Sequence, residues 1–201
     1  LILGGGVVGE NAAIIAAGMQ ANVFIVDKSE KRLSELNSQF GESVKTLLSD
    51  EIKLEDYVSD CDLLIGGVLI PGANAPKLVS RDMIKKMKPG SVIVDVAIDQ
   101  GGCVETSKPT THAEPTYIVD GVVHYCVANM PGGVPQTSTL ALNAVTLPYV
   151  LKLAQEGYQK ALASDANFLA GLNLFKGSVT YKAVADDLNL QFISPEKAIS
   201  N

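Results

Sequence analysis

Tryptophan is absent from this 201-residue chain, and aromatic residues make up only 5% of it. Charged residues are also few, at 19%, and the net charge of −6 argues against a nucleic-acid or anionic-membrane surface as partner. No apolar run approaches the roughly 18 residues of a membrane span, and no signal peptide is visible. Hydrophobic residues make up 47% of the chain, so it can bury a substantial core and is not disordered.

Cysteine and histidine are scarce as well. Cys61, Cys103 and Cys126 are odd in number and widely spaced, which favours reduced thiols in the cytoplasm over a disulfide framework. The only histidines, His112 and His124, form no metal-ligand spacing with each other or with a cysteine. The sequence therefore predicts a cytoplasmic protein without a bound metal.

Short β-branched runs alternate with helical stretches from residue 1 to about 127, which predicts a parallel sheet with helical crossovers. Strands are expected near residues 22–27, 44–48, 62–66 and 91–96, and helices at 29–40, 54–59 and 80–87. Ser29 is the expected N-cap of the helix at 29–40. Two further apolar runs, within 117–127, are split by a predicted tight turn at Asp120-Gly121.

A proline- and glycine-rich break at residues 131–135 divides the chain into two predicted domains, 1–135 and 136–201. Beyond it we expect one long helix from 137 to about 163, interrupted at Pro148 and weakened at Gly157, then short helices and loops with little sheet. This tail is too small for its own core and should pack on something else. The first strand begins only three residues before a glycine turn and no Met precedes it, so we expect a truncated strand and a longer parent polypeptide.

The glycine-rich opening LILGGGVVG has the form of a dinucleotide-binding turn. Gly4 allows the tight turn, Gly6 lets the backbone approach a pyrophosphate, and Gly9 permits close packing of the helix on the sheet. The helix that starts near Val8 offers free N–H groups to the phosphates, and Val7 and Val8 are expected to contact the cofactor. The expected fold class is therefore an α/β, Rossmann-type, doubly wound parallel sheet followed by a helical C-terminal segment.

Asp27 ends the second predicted strand, where a carboxylate can accept hydrogen bonds from both hydroxyls of an adenosine ribose. It would repel a 2′-phosphate, so NAD is favoured over NADP. The alternative is a strand-end Asp that caps the next helix through Ser29 and Glu30. Arg32 either lies over the adenine or is a solvated helix residue, and the sequence leaves that choice open.

Two polar clusters follow later strands. Asp99 comes after the strand at 91–96 and could face the nicotinamide end, where it would orient a reacting group or relay a proton. The alternative for Asp99 is an Asx-turn residue before Gly101. After the last strand, Asn129 can hydrogen-bond a carboxamide and Met130 can pack against a ring, although a loop Met is often core filler.

Long segments of the chain resemble the alanine dehydrogenase family. They include GGGVVG, VLIPGANAPKLV at residues 68–79, MKPGSVIVDVAIDQGGC at 87–103 and VDGVVHYCVANMPGGVP at 119–135. The resemblance runs from Leu1 to Asn201 and is far more specific than the glycines alone. It implies an enzyme in which NAD(H) carries hydride between its nicotinamide and the α-carbon of alanine or iminopyruvate, with ammonia released or captured.

By matching position, the resemblance implies that Asp27 and Arg32 hold the adenosine side and that Ser49 contacts the adenine region. Asp99 would be a catalytic residue, and Lys108 stands where relatives often show Arg, so a bidentate contact is lost. The remaining residues that it implies around the cofactor groove and nicotinamide are Val68, Leu69, Val96, Ala97, Ile98, Val127, Ala128, Asn129 and Met130.

The resemblance also assigns the tail after Pro135 to the substrate domain. The family's catalytic His and its substrate-holding Lys and Arg would all precede Leu1, and neither His112 nor His124 matches them. The chain is thus expected to bind NAD without turning over L-alanine, or pyruvate plus ammonia, unaided. Assembly as a hexamer or dimer is expected from the family, with no nucleic-acid or membrane partner.

Two alternatives belong to other functional classes. The first is the nucleotide-binding domain of a proton-translocating NAD(P) transhydrogenase, and the second is a non-catalytic NAD-sensing module. Relatives of the transhydrogenase class generally lack an acid at the position of Asp99, so this residue discriminates between them. Retention of Asp99 with Asn129 and Met130 argues against a sensor.

Overall fold

The computed structural model describes residues 1–200, and its principal feature is a seven-stranded sheet. The strands run in the order β3-β2-β1-β4-β5-β7-β6, and every neighbouring pair is parallel except β6 and β7. The predicted doubly wound sheet is confirmed. Their bounds are β1 (Ile2–Leu3), β2 (Val23–Asp27), β3 (Val44–Leu48), β4 (Leu63–Gly66), β5 (Val92–Asp95), β6 (Thr116–Val119) and β7 (Val122–Tyr125).

Helices connect the parallel strands as the sequence pattern predicts. They are α1 (Val7–Gly18), α2 (Glu30–Phe40), α3 (Leu54–Asp60) and α4 (Arg81–Ile84). Ser29 caps α2 by accepting the N–H of Arg32 at 3.2 Å. The prediction that α4 continues to residue 87 is wrong. The N–H groups of Lys86 and Met87 each bond a carbonyl three residues back, so the helix tightens into a turn.

Hydrophobic side chains fill both faces of the sheet. Ile2 packs with Ile25 and Leu36 on one face, whereas the next residue, Leu3, packs with Leu64 and others on the opposite face. Alternate residues of a strand point to opposite faces, so a sheet covered on both sides needs apolar residues at every position. This explains why the strands appear as unbroken β-branched runs in the sequence.

The strands β6 and β7 form a hairpin at the predicted Asp120-Gly121 turn. Both turn residues have positive φ, 51° and 83°, and Val119 pairs directly with Val122. This is the two-residue geometry that matches the twist of a hairpin. The first helix, by contrast, turns toward β2 through a left-handed Gln20, with φ 64°, a position where glycine or asparagine is more usual.

The chain forms two compact units. The first contains residues 1–70 and 74–130, and the second contains residues 71–73 and those from Pro131 onward. In the second unit a hairpin of β8 (Leu174–Phe175) and β9 (Ser178–Val179) accompanies the helices, a small sheet that the sequence did not predict. These helices are α5 (Pro135–Ala163), α6 (Ala166–Ala170), α7 (Lys182–Asp187) and α8 (Pro195–Ile199).

The long helix α5 begins at Pro135, two residues before the predicted start, and breaks at Gly157 rather than at Pro148. Gly157 has φ 74° and ψ 158°, whereas Pro148 lies inside helical backbone. A proline removes one helical hydrogen bond but keeps a helical φ, whereas positive φ interrupts the helix outright. Within residues 1–200, no helix has both the length and the apolar character needed to cross a membrane.

Candidate functional site

The glycine turn joins β1 to α1 at the carboxyl edge of the sheet. Gly4 has φ 94°, and a Cβ on Gly9 would lie 1.9 Å from the carbonyl oxygen of Gly4, so only glycine fits there. At Gly6 a Cβ would meet nothing within 4 Å, which leaves open space beside the turn. The N–H groups of Val7 and Val8 precede the first helical hydrogen bond, from Glu10 N to Gly6 O, and lie at the positive end of α1.

The carboxylate of Asp27 is fixed by two backbone donors. Gly5 N donates to Oδ2 at 2.7 Å, and Ser29 N donates to Oδ1 at 2.9 Å. Each oxygen keeps a further lone pair, so the carboxylate can still accept hydroxyl donors. Ser49 follows Leu48, the residue paired with Asp27 in the sheet, and this register puts Ser49 at the same edge.

Arg32 does not extend freely from α2. Its Nε donates to the carbonyl oxygen of Gly5 at 2.6 Å, and its terminal nitrogens pair with Glu10 and Glu35. Arg32 thus lies at the glycine turn, where it binds Gly5, the same residue that donates its N–H to the Asp27 carboxylate. Sequence reasoning missed Gly5 and Glu10 because their partners lie on α2 and β2, far along the chain.

A pocket of about 260 Å³ opens where the sheet order reverses, beside the start of α1. Ligands of open α/β sheets bind at this switch point, outside the carboxyl ends of the strands. A larger pocket of about 600 Å³ lies among the amino ends of β1, β2 and β4, away from the glycine turn, and we therefore assign the site to the smaller one. Its lining residues are Val8, Gly67, Val68, Leu69, Val96, Ala97, Asp99 and Gln100.

Asp99 and Asn129 meet at the rim of this edge. Asn129 N donates to Asp99 Oδ1 at 3.4 Å, and His112 Nε2 donates to the carbonyl oxygen of Asn129 at 3.1 Å. The turn that contains Asp99 is closed by a hydrogen bond from Gly101 N to Ile98 O at 3.0 Å, and Asp99 itself is exposed. The neighbours on the Asn129 side are the buried Val127, the exposed Ala128 and the half-buried Met130.

A buried carboxylate, Asp95, organises the loop that carries Asp99. Asp95 is fully buried at the end of β5, and it accepts the N–H groups of Cys103 at 3.3 Å and Val104 at 3.2 Å. Burial and this neighbouring carboxylate raise the pKa of the Cys103 thiol, which therefore stays protonated. The sequence signal for Asp95 was its position at a strand end, four residues before Asp99.

Lys77, in the connection between β4 and β5, also binds the loop that follows β5. Lys77 Nζ donates to three backbone carbonyl oxygens, those of Gly101 at 2.5 Å, Gly102 at 2.8 Å and Val104 at 3.3 Å. Charge-assisted hydrogen bonds are stronger than neutral ones. Lys77 therefore holds the loop through its carbonyl groups, and Asp95 holds it through its N–H groups. Sequence reasoning had assigned no role to Lys77.

Lys108 lies against a small aromatic cluster. Its N–H donates to Tyr117 Oη at 2.8 Å, and its Nζ is 4.6 Å from the centre of the same ring. Tyr117 stacks on the buried His124, whose Nε2 is 2.7 Å from Thr106 Oγ1. Burial lowers the pKa of His124, so this histidine is a neutral core residue. Among residues 1–200, no three His, Cys, Asp or Glu side chains are grouped to share a metal ion.

A glycine turn under a helix N-terminus, a strand-end acid on the second strand and a pocket at the switch point define a dinucleotide-binding domain of the Rossmann type. The family model described as "Alanine dehydrogenase/PNT, C-terminal domain" matches residues 1–182. The chain belongs to this family.

Similar proteins agree with this assignment. The chain is 59% identical over 198 residues to an alanine dehydrogenase of Halomonas elongata and 56% identical over 201 residues to one of Bacillus subtilis. It spans about half the length of these relatives, 53% in each case. A solved L-alanine dehydrogenase superposes with a TM-score of 0.83 at 53% identity, covering 94% of this chain and 52% of that one. A transhydrogenase from Sinorhizobium meliloti is more distant, with a TM-score of 0.63 and 30% identity over 73% of this chain and 42% of its own.

Proposed function

We propose that this chain is the NAD(H)-binding portion of an alanine dehydrogenase, which interconverts L-alanine with pyruvate plus ammonia. Relatives that carry this name are 56–59% identical over almost the whole chain. The observation that carries the proposal is the contact between Asp99 and Asn129 at the rim of the sheet edge that also holds Asp27. The contact supports the proposal because the two acids proposed for ribose binding and for chemistry, Asp27 and Asp99, both follow strands at one edge of the sheet.

The residues present fit a dinucleotide. The open space at Gly6 and the free first-turn N–H groups of Val7 and Val8 suit a pyrophosphate, and Asp27 keeps lone pairs for ribose hydroxyls. Among residues 1–200, Oε1 of Gln100 is a buried acceptor without a hydrogen-bond donor, as expected beside a polar ligand. The other residues proposed to contact the cofactor are Gly4, Gly9, Arg32, Ser49, Val68, Leu69, Val96, Ala97, Ile98, Asp99, Lys108, Val127, Ala128, Asn129 and Met130.

NAD(H) would supply hydride transfer at the α-carbon of the substrate, and the glycine turn and Asp27 would hold it. Asp99 is the catalytic residue that this chain contributes. Its exposed carboxylate orients a reacting group or relays a proton at the rim of the pocket. Asp95 and Lys77 hold the loop that carries Asp99, and the N–H of Asn129 orients its carboxylate.

We further propose that turnover needs the rest of a full-length polypeptide, and that this chain alone binds NAD(H) without converting substrate. A cytoplasmic location and assembly into a homo-oligomer are part of the same proposal, and the exposed apolar residues of α5 favour assembly, among them Leu140, Val145 and Val150. The division into a nucleotide-binding domain, 1–135, and a substrate-domain segment, 136–201, belongs to the same proposal.

The test is NADH oxidation by the full-length polypeptide, with pyruvate and ammonium supplied together and then singly. Oxidation that requires both would support reductive amination. NADH binding without oxidation would overturn the dehydrogenase proposal in favour of a transhydrogenase domain or a sensor.

A further inference from the structure

Arg32 is the arginine beside the predicted ribose-binding acid. The chain has two arginines, and the other, Arg81, pairs with Asp120 at 3.0 Å. Asp27 accepts the N–H of Gly5 at 2.7 Å, and Arg32 donates to the carbonyl of the same residue at 2.6 Å. The Asp27 carboxylate and the Arg32 guanidinium therefore bind the N–H and the carbonyl oxygen of the same residue, Gly5.

Each nitrogen of the Arg32 guanidinium makes one hydrogen bond. Nε bonds Gly5, Nη1 bonds Glu35 at 3.2 Å, and Nη2 bonds Glu10. The Glu10 side chain is 27% exposed and that of Glu35 is 50% exposed, so the Glu10 pair is the less screened of the two. The hydrogen bond from Arg32 lowers the pKa of Glu10, which keeps Glu10 ionised at neutral pH.

A 2′-phosphate on the adenosine ribose would bring a charge of about −1.5 to −2 to the position beside Asp27. Sheets of this type that accept a 2′-phosphate use a nearby arginine to bind it. We propose that Glu10 is a cofactor-specificity residue, because it occupies Arg32 and denies this guanidinium to a 2′-phosphorylated dinucleotide. This inference rests on the proposed function and adds a second barrier to NADP(H) besides Asp27.

The other charges in this region act differently from Glu10, and the one that also pairs with Arg32, Glu35, is more exposed and more strongly screened. Lys28 and Lys31 are exposed residues that follow Asp27 in the sequence, and they favour any phosphate equally whether Glu10 is charged or not. Glu30, also exposed, has the same charge as Glu10 and lies in the first turn of the same helix as Arg32. It provides a matched control, because its removal changes net charge without releasing Arg32.

The test measures NADH and NADPH dissociation constants of the full-length polypeptide by nucleotide fluorescence, for the wild type, E10Q, D27S and D27S/E10Q. E10Q is expected to keep NADH affinity within about twofold. In the D27S background, where the repulsion is gone, adding E10Q should tighten NADPH binding by about tenfold, or ~1.4 kcal/mol. Gln keeps the shape of Glu, so this variant preserves packing.

Two further variants identify the group responsible. D27S/E30Q should tighten NADPH binding by less than about threefold relative to D27S, and D27S/E10Q/R32M should lose the gain entirely. An equal gain in D27S/E30Q, a gain that survives R32M, or no gain in D27S/E10Q would overturn the inference while leaving the proposed function intact. A wild type that fails to bind NADH would refute the proposed function and this inference with it.

Discussion

We expect replacement of Asp95 to destabilise the loop that carries Asp99. Asp95 is fully buried and accepts two backbone N–H groups, from Cys103 and Val104. Leucine at this position accepts neither. Because each buried N–H left without an acceptor costs about 1–3 kcal/mol, Asp95→Leu is expected to lower the free energy of unfolding by roughly 2–6 kcal/mol.

A second substitution at the same position, Asp95→Asn, tests the same two hydrogen bonds. Asn keeps one acceptor oxygen and turns the other into a donor, so Asp95→Asn should lose about half as much, roughly 1–3 kcal/mol. Asp82→Asn is the matched control. Asp82 is exposed and pairs with Lys85 on the surface, and such a pair contributes less than about 1 kcal/mol.

The assay combines urea denaturation of the full-length polypeptide with hydrogen exchange followed by mass spectrometry. Urea reports the global free energy of unfolding, and exchange in residues 96–104 reports local opening of the loop. Exchange should accelerate in this segment for both Asp95 variants and not for Asp82→Asn. Unchanged exchange and a free energy of unfolding within about 0.5 kcal/mol of the wild type for Asp95→Leu would refute the reasoning.

Three further predictions concern other parts of the first unit. Gly9→Ala should cost about 1–3 kcal/mol or more in urea denaturation, since its Cβ would lie 1.9 Å from a carbonyl oxygen. Gly18→Ala, whose Cβ meets nothing within 4 Å, should be neutral or stabilising by up to about 1 kcal/mol, and equal effects of the two would contradict the packing argument. Burial holds the pKa of His124 below its ordinary 6.5. Its contribution to stability is thus fully present above about pH 6.5 and is lost as the pH falls through the lower folded-state pKa, and an NMR titration midpoint at or above 6.5 would disprove this. Asp99→Asn in the full-length polypeptide should lower turnover by about 100-fold or more with little change in NADH affinity, and turnover within about twofold of wild type would exclude a catalytic role.

Local signals in the sequence were sufficient for much of the fold. The Gly4 turn, the Ser29 cap and the Asp120-Gly121 hairpin depend on a few neighbouring residues, and the structure confirms each of them. The strand and helix pattern fails mainly at ends, as at α4, and at Pro148 and Gly157 in α5. Whether a helix continues past a proline depends on packing and on backbone angles that no short pattern specifies.

The site was predicted as a set of separate clusters. Their order along the chain indicated that Asp27, Asp99 and Asn129 follow strands whose ends lie at one edge of a parallel sheet. The contact of Asp99 with Asn129 joins residues 30 positions apart, and only the folded chain shows it. Asp95 lies four residues before Asp99 in the sequence, but its buried position and its two backbone donors could not be inferred from spacing.

By itself, the sequence determined most elements of the first unit and the class of ligand, because glycine conformation, capping and the alternation of strand and helix are properties of short segments. Tertiary structure determined the partner of each charged side chain. Glu10 pairs with Arg32, Lys77 donates to three carbonyl oxygens, and Asp95 accepts two buried N–H groups. These groups come from elements distant in sequence, and their energies depend on burial and on distances of a few ångströms. Such distances are set only when the strands take their order in the sheet and the connections pack against each other.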